Sequence, residues 1–456
     1  MKQVLSNEMT QYKPLTLATI KKHPVWHTLT PEMREAIEVV AHVLPFRTNP
    51  YVVEQLIDWS DIPNDPIFQL TFPQRGMLDP QDYARVRDAL RDGVSRQALQ
   101  TLVNEIRFRM NPHPAGQMTH NVPEMDGQRL WGIQHKYRET VLFFPAQGQT
   151  CHAFCTYCFR WAQFVGIEEL KFQSRQVELL VEYLKRHPDV TDVLFTGGDP
   201  MVMKASLLRR YIEPLLSPEL EHVRTIRIGT KSLAYWPYRY VSDADADDIL
   251  RLFEEIIASG RHVAFMAHFS HPRELSTPIV QEAIARIRNT GAEIRTQAPL
   301  IRHVNDDPDV WATMWRESVR LGMIPYYMFV ERDTGPKGYF EVPLARAQRI
   351  FADAYRQVSG VARTVRGPSM SAWPGKVRVV GTARVAGERV FVLEFLQGRK
   401  PEWVGRPFFA KFDPHATWLD QLKPAFGEKF FYEYDLEEDA MSATPHSVAV
   451  DDIVLN

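Results

Sequence analysis

The sequence predicts an α/β protein built on a partial (β/α)6 barrel, with a helical region ahead of it and a β-rich extension behind it. Three observations predict this fold. Six apolar runs of strand length, at residues 141–144, 190–195, 225–228, 263–269, 293–298 and 326–330, alternate with helical patterns, the signature of parallel βαβ units. Residues 1 to about 110 read as helices joined by proline-marked turns. Beyond Lys376 the apolar segments become strand-like, at 377–380, 389–395 and 430–434, ahead of an acidic end. The divisions that follow are a helical region with its linker over 1–125, the barrel over 126–366 and an extension over 367–456.

Taken in order, Thr30-Pro31 opens a helix, because Thr30 can cap and Pro31 fits the first helical position. Ile37, Val40, Ala41 and Leu44 then share one face. Residues 64–70 read as an extended lead-in, and 110–116 as a proline-rich linker. Within the barrel, Thr277-Pro278 opens a helix whose stripe is Ile279, Val280, Ala283, Ile284 and Ile287, and Gly291 closes it. The extension either closes the barrel or builds the subunit interface of a homo-oligomer, and the sequence leaves both open.

The chain has 456 residues, a net charge of −2 and 45% hydrophobic residues. That balance fits an ordinary globular protein and argues against a nucleic-acid footprint or a disordered tail. A small-molecule substrate is expected. No apolar run reaches membrane-spanning length, and residues 1–8 lack the apolar core of a signal peptide, so the expected location is the cytoplasm, with no membrane partner.

All three cysteines, Cys151, Cys155 and Cys158, fall within eight positions. Three soft ligands in Cys-x-x-x-Cys-x-x-Cys spacing suit a [4Fe–4S] cubane, one thiolate over each of three irons, leaving a fourth iron open. A zinc site completed by His152 is the alternative, although structural zinc normally takes two separated ligand pairs. Parallel barrels carry their chemistry at the carboxyl ends of strands. The cysteine loop follows the first strand, Thr196-Gly-Gly-Asp-Pro ends the second, and Arg227-Ile-Gly-Thr ends the third. Paired glycines let a backbone approach a ligand closely. Their plainer reading is a strand-to-helix turn.

The cysteine spacing resembles that of the radical S-adenosylmethionine (SAM) superfamily. A narrower resemblance rests on His135-Lys-Tyr-Arg-Glu-Thr-Val-Leu, Thr196-Gly-Gly-Asp-Pro, Arg227-Ile-Gly-Thr, His268-Phe-Ser-His-Pro, Gln297 with Val304-Asn-Asp, Pro325-Tyr-Tyr and Pro374-Gly-Lys-Val. Together, in this order from about Asn64 to Val380, they are similar to the lysine 2,3-aminomutase family. The resemblance implies a radical SAM barrel and an isomerase that uses a [4Fe–4S] cluster, SAM and pyridoxal 5′-phosphate (PLP) to move an α-amino group to the β-carbon. It also implies an amino acid substrate and a reducing partner such as flavodoxin or ferredoxin.

Carried over residue by residue, the resemblance makes Lys376 the PLP lysine. Lys136, Tyr137 and Gln297 serve PLP, with Arg138 standing in for a family arginine that is Thr140 here. Tyr157, Gly197, Gly198, Asp199, Thr230 and His268 serve SAM, and Arg160 holds the substrate carboxylate. A lysine that bonds to PLP must be able to lose its proton, which calls for desolvation or neighbouring cations. A guanidinium fork suits a carboxylate because it binds both oxygens. Lysine-specific members place two aspartates at the substrate's far end, where a gap-free count gives Arg332 and Ser369; a one-residue shift presents Asp333. This pocket favours an acidic or neutral substrate over lysine. Two other readings stand beside it: a PLP-free radical SAM enzyme acting on a protein lysine or another substrate, and a non-enzymatic zinc-binding protein.

Overall fold

The computed structural model describes residues 11–442. Residues 1–10 and 443–456 lie outside these residues; the first part of the acidic end expected from the sequence, 435–439, falls within them, in the helix Phe431–Ser442.

Eleven strands form one sheet whose spatial order follows the chain. They are β1 (Ile133–Tyr137), β2 (Thr140–Phe143), β3 (Asp192–Phe195), β4 (Thr225–Thr230), β5 (His262–His268), β6 (Glu293–Leu300), β7 (Ile324–Val330), β8 (Arg366–Ser371), β9 (Gly375–Val385), β10 (Glu388–Gly398) and β11 (Pro407–Lys411). From β2 to β8 every neighbouring pair is parallel. β1 pairs antiparallel with β2, and β9 to β11 continue antiparallel from β8. The six expected barrel strands are all present, and β8 is a seventh parallel strand. Gly367-Pro368 disguises it: the pair reads as a breaker, and a proline within a sheet is tolerated where the register is irregular, as it is between Arg366 and Ser369. The sheet curls so far that Lys136 on β1 donates to the carbonyl of Ala372, in the turn between β8 and β9.

Expected helix signals act as the sequence indicates. Thr30 accepts from the amide of Met33 at the start of Pro31–Val43. In Pro278–Asn289 the side chains of Val280, Ala283, Ile284 and Ile287 are buried, while Ile279, expected in the same stripe, is only half-buried, and Gly291 follows at φ 90°, where only glycine is comfortable. Two expectations are corrected. Residues 64–70 are not extended: Pro66–Thr71 is a helix, because Asp65 accepts from the amides of Ile67 and Phe68 at 2.9 and 2.8 Å and Pro66 takes the first helical position. Residues 430–434 are not a strand but lead into the helix Phe431–Ser442, with Glu433 accepting from the Phe430 amide. Its aromatics pack on Phe395, Trp403 and Phe408, and an apolar run this short has no period that separates strand from helix start.

One apolar core runs from Leu15 in the N-terminal region through the barrel to Phe340. The N-terminal region also grips the cysteine loop. The amide of Phe154 donates to Arg47 and that of Thr156 to Leu70, at 2.8 and 2.9 Å. The Thr156 hydroxyl donates to Gln69, and Asn49 and Tyr12 both donate to the His152 carbonyl.

Candidate active site

A cavity of about 280 Å³ opens at the carboxyl ends of the parallel strands, with a wall supplied by β1 and by the β8–β10 hairpins. Lys136, Tyr137, Tyr157, Arg160, His268, Gln297, Arg332 and Lys376, all singled out from the sequence, line it.

Lys376 sits at the start of β9. Its ammonium donates to Gln397 at 3.0 Å and stands 4.1 Å from the centre of the Tyr327 ring. Burial, reinforced by the charges of Arg227, Arg366 and Arg332, holds its pKa well below the usual lysine range. This is the state expected of a lysine that must bond to a carbonyl. Lys136 is lowered in the same way, by burial first and then by Arg399, Arg332 and Lys376.

Arg160 is 7% exposed and lies over the Phe144 ring. Only one of its nitrogens has a partner: Nη1 donates to Gln117 at 3.0 Å, while Nε and Nη2 are buried without an acceptor. Burial pulls its pKa down to about 9, so it stays a cation at neutral pH. A buried, unsatisfied fork facing a cavity fits a carboxylate ligand.

Cys151, Cys155 and Cys158 share one loop beside this cavity, each half-buried and none in a disulfide. Burial raises all three thiols, Cys158 to about 12, and for Cys151 the charges of Asp199 and the other two sulfurs add to the effect. Three thiolates therefore need a bound cation to coexist, as an iron–sulfur cluster provides. Among the described residues no three His, Cys, Asp or Glu side chains are grouped to hold a single metal ion. The ring of His152 packs edge-on against Tyr12.

His268 and Tyr157 join the loop to the barrel: the Tyr157 hydroxyl lies 2.8 Å from His268 Nε2 and 3.1 Å from the Ser270 hydroxyl. Burial and the Lys231 charge keep His268 uncharged well below its ordinary pKa. The remaining residues assigned to SAM by resemblance do not line the cavity. Asp199 accepts from the Thr230 hydroxyl and from the amides of Met201 and Lys231. Thr230 contacts Asp199 and Ser232. Gly197 and Gly198 give up their side-chain space to the segment before Cys151. A Cβ on Gly198 would meet the Thr150 backbone at 2.4 Å, and the Asp199 amide donates to Gly148 and Thr150. The close approach that the glycines permit is thus to the cysteine loop.

Three further expectations need correction. Arg138 is exposed and paired with Asp189 at 2.9 Å, because the tight β1–β2 turn sends it outward; Arg227 on β4 brings the additional cation to the cavity instead. Ser369 is fully buried on β8 between β7 and β9, and Ser371, two residues on and on the same face, lines the cavity. The choice between Arg332 and Asp333 falls to Arg332, which lines the cavity and donates to the Ser371 carbonyl, while Asp333 accepts from Asn111. Gln117, Glu331 and Gln397 also line the cavity and were missed. Gln397 was legible only through the β9–β10 register, in which it faces Lys376.

A cysteine triad behind the first parallel strand, beside a cation-lined cavity at the strand ends, is the arrangement that the radical SAM resemblance implies. Scanned against profiles of known protein families, the chain matches none. Compared with individual proteins, it is 30% identical over 398 residues to a protein of Aquifex aeolicus named "Putative L-lysine 2,3-aminomutase", covering 87% of this chain and 92% of that one. It is 24% identical to the L-lysine 2,3-aminomutase of Bacillus subtilis, over 67% of each chain. The glutamate 2,3-aminomutase of Clostridioides difficile is also 24% identical, over 74% of this chain and 67% of that one. Among solved structures, a radical SAM methyltransferase from Sphaerobacter thermophilus overlaps 77% of this chain and 93% of its own, at 13% identity and a TM-score of 0.37. The chain belongs to the lysine 2,3-aminomutase family. It is a radical SAM aminomutase, an isomerase, and the family's cofactors are a [4Fe–4S] cluster, SAM and PLP. Among the described residues no helix is long and apolar enough to cross a membrane.

Proposed function

We propose that this enzyme uses PLP on Lys376 to move the α-amino group of a free amino acid to its β-carbon, and that the substrate's side chain is acidic or neutral. The observation that carries the proposal is the charge of the cavity wall: among the described residues the guanidiniums of Arg160, Arg227 and Arg332 line it, Arg227 with Asp192 3.8 Å away, against the single lining acid Glu331, whose carboxyl burial pushes well above its usual range. A PLP phosphate and a substrate carboxylate balance much of this excess. A second ammonium on the substrate adds to it instead, and burying a charge without its complement costs about 3–5 kcal/mol.

When bound, the cluster with SAM supplies a hydrogen-abstracting carbon radical, and PLP supplies a π-system conjugated to the migrating nitrogen. The chain's residues do the rest. Cys151, Cys155 and Cys158 ligate the iron. Lys376, whose ammonium burial makes easier to deprotonate, is placed to offer its amine to the cofactor carbonyl. Arg160 holds the carboxylate and so aims one β-hydrogen. Arg332 faces the substrate's far end. Leu142, Phe144, Leu194 and Phe329 exclude water from the cavity.

Anaerobic assay of the reconstituted enzyme with L-glutamate, L-glutamine, L-alanine and L-lysine, reading β-amino acid products by chromatography, tests the proposal. Turnover of glutamate, glutamine or alanine ahead of lysine is expected; efficient lysine turnover sinks the substrate assignment, and activity without PLP sinks the mechanism.

A further inference from the structure

We propose that Gln117 is a second carboxylate-binding residue of this site, its side-chain amide donating to the same substrate carboxylate that Arg160 holds; the assignment rests on the amino acid reading above and deepens it. The segment that carries Gln117 reads as a plain linker, yet it folds into a tight arch against the cavity. Asn111, Ala115 and Gly116 adopt φ of 48°, 57° and 66°, a left-handed backbone that non-glycine residues rarely take without compensation. Cross-links hold the arch in place. Gln134 donates to the Gln117 carbonyl at 2.7 Å, Asn121 donates to Ala115 at 3.3 Å, and Thr334 donates to the Asn111 carbonyl. The outcome is that Gln117, 6% exposed, lines the cavity beside Arg160.

The chemistry of the pair fixes which end of the amide faces the cavity. A guanidinium only donates, so the atom 3.0 Å from Arg160 Nη1 must be the Gln117 oxygen. That leaves Nε2 of Gln117 as a buried donor without an acceptor, alongside Nε and Nη2 of Arg160. Buried donors are almost always paired, and these three go unanswered by the protein at the edge of one cavity. A ligand with two acceptor oxygens on one carbon can answer them, and a carboxylate is such a group. His113, also next to Arg160, does not add a second cation, because burial lowers its pKa to about 4. Carboxylate recognition here combines one charge with a neutral donor.

Equilibrium binding of labelled L-alanine and L-glutamate, each compared with its α-amide, to the cofactor-loaded enzyme and its variants tests the assignment. Gln117→Met keeps the side-chain volume and removes the donor; it is expected to weaken binding of both acids by about tenfold or more while leaving the amides within about twofold. Gln117→Glu keeps an acceptor for Arg160 but sets a carboxylate against the ligand's; it is expected to weaken the acids by about a hundredfold and to reverse the preference toward the amides, whose N–H groups can pair with it. Wild-type affinity for the acids in Gln117→Met, or an unreversed acid preference in Gln117→Glu, overturns the assignment and leaves the proposed function standing. A wild-type enzyme that binds neither acids nor amides overturns both.

Discussion

The backbone amide of Thr156 donates to the carbonyl of Leu70 across 2.9 Å, and its hydroxyl donates to Gln69 at 2.7 Å. A residue of the cysteine loop is thereby tied to the end of the helix Pro66–Thr71, at Gln69, 87 positions earlier in the chain. The N-terminal region is therefore part of the cofactor scaffold. Thr156→Val, which removes a buried hydroxyl bond, is expected to cost about 1–3 kcal/mol of local stability and to lower the iron retained per chain after anaerobic desalting. Wild-type iron content in the variant would show that the loop holds its shape without this tie.

Replacing any one of Cys151, Cys155 or Cys158 by alanine is expected to abolish SAM cleavage, because two thiolates cannot hold a site-differentiated cluster. Cleavage to methionine, followed by chromatography, is the measurement; an undiminished rate in one variant removes that cysteine from the ligand set.

Lys376→Ala is expected to release PLP while the cluster's absorbance persists. Gln397→Leu removes the polar partner of Lys376 and leaves the lysine available, so it should weaken PLP retention by about tenfold or less. PLP that remains covalently trapped by borohydride in Lys376→Ala would assign it to another lysine.

Arg332→Asp is expected to improve lysine over glutamate in kcat/KM by two orders of magnitude or more, from a cost of about 3–5 kcal/mol for an uncompensated buried charge. Asp333→Ala should leave this ratio unchanged, since Asp333 engages Asn111. A lysine preference in the unmodified enzyme that is lost in Asp333→Ala would reverse the roles of the two residues.

His271 supplies a pH prediction. Burial, helped by the Arg273 charge, lowers its pKa to about 4, and its Nδ1 accepts from the Arg273 amide. The folded pKa lies below the unfolded value of about 6.5, so its contribution is fully present above pH 6.5 and is lost as pH falls toward 4. The loss reaches about 3 kcal/mol. Urea unfolding between pH 7 and 4 should show this decline, and His271→Asn, which can keep the acceptor without titrating, should flatten it. An equal slope in both proteins would place the acid sensitivity elsewhere.

Short-range chemistry was legible in the sequence alone. The cysteine spacing, the Thr30-Pro31 helix start and the six apolar strand runs each depend on residues a few positions apart, and backbone geometry converts such spacing directly into structure. Lys376, Arg160 and Gln297, which ordered motifs mark, line the cavity. What only the tertiary structure decided are relations between distant segments. Whether Arg332 or Asp333 faces the cavity depends on how the chain leaves β7 and where Asn111 sits, 222 positions away in sequence from Asp333. Arg138 turns outward because a tight hairpin alternates its faces. Gln117 reaches Arg160 only after a linker folds into an arch of left-handed residues, and Gln397 meets Lys376 through an antiparallel register. Side chains one residue apart in a strand point to opposite sides, so a site assembled from several strand ends depends on registers that local pattern does not contain.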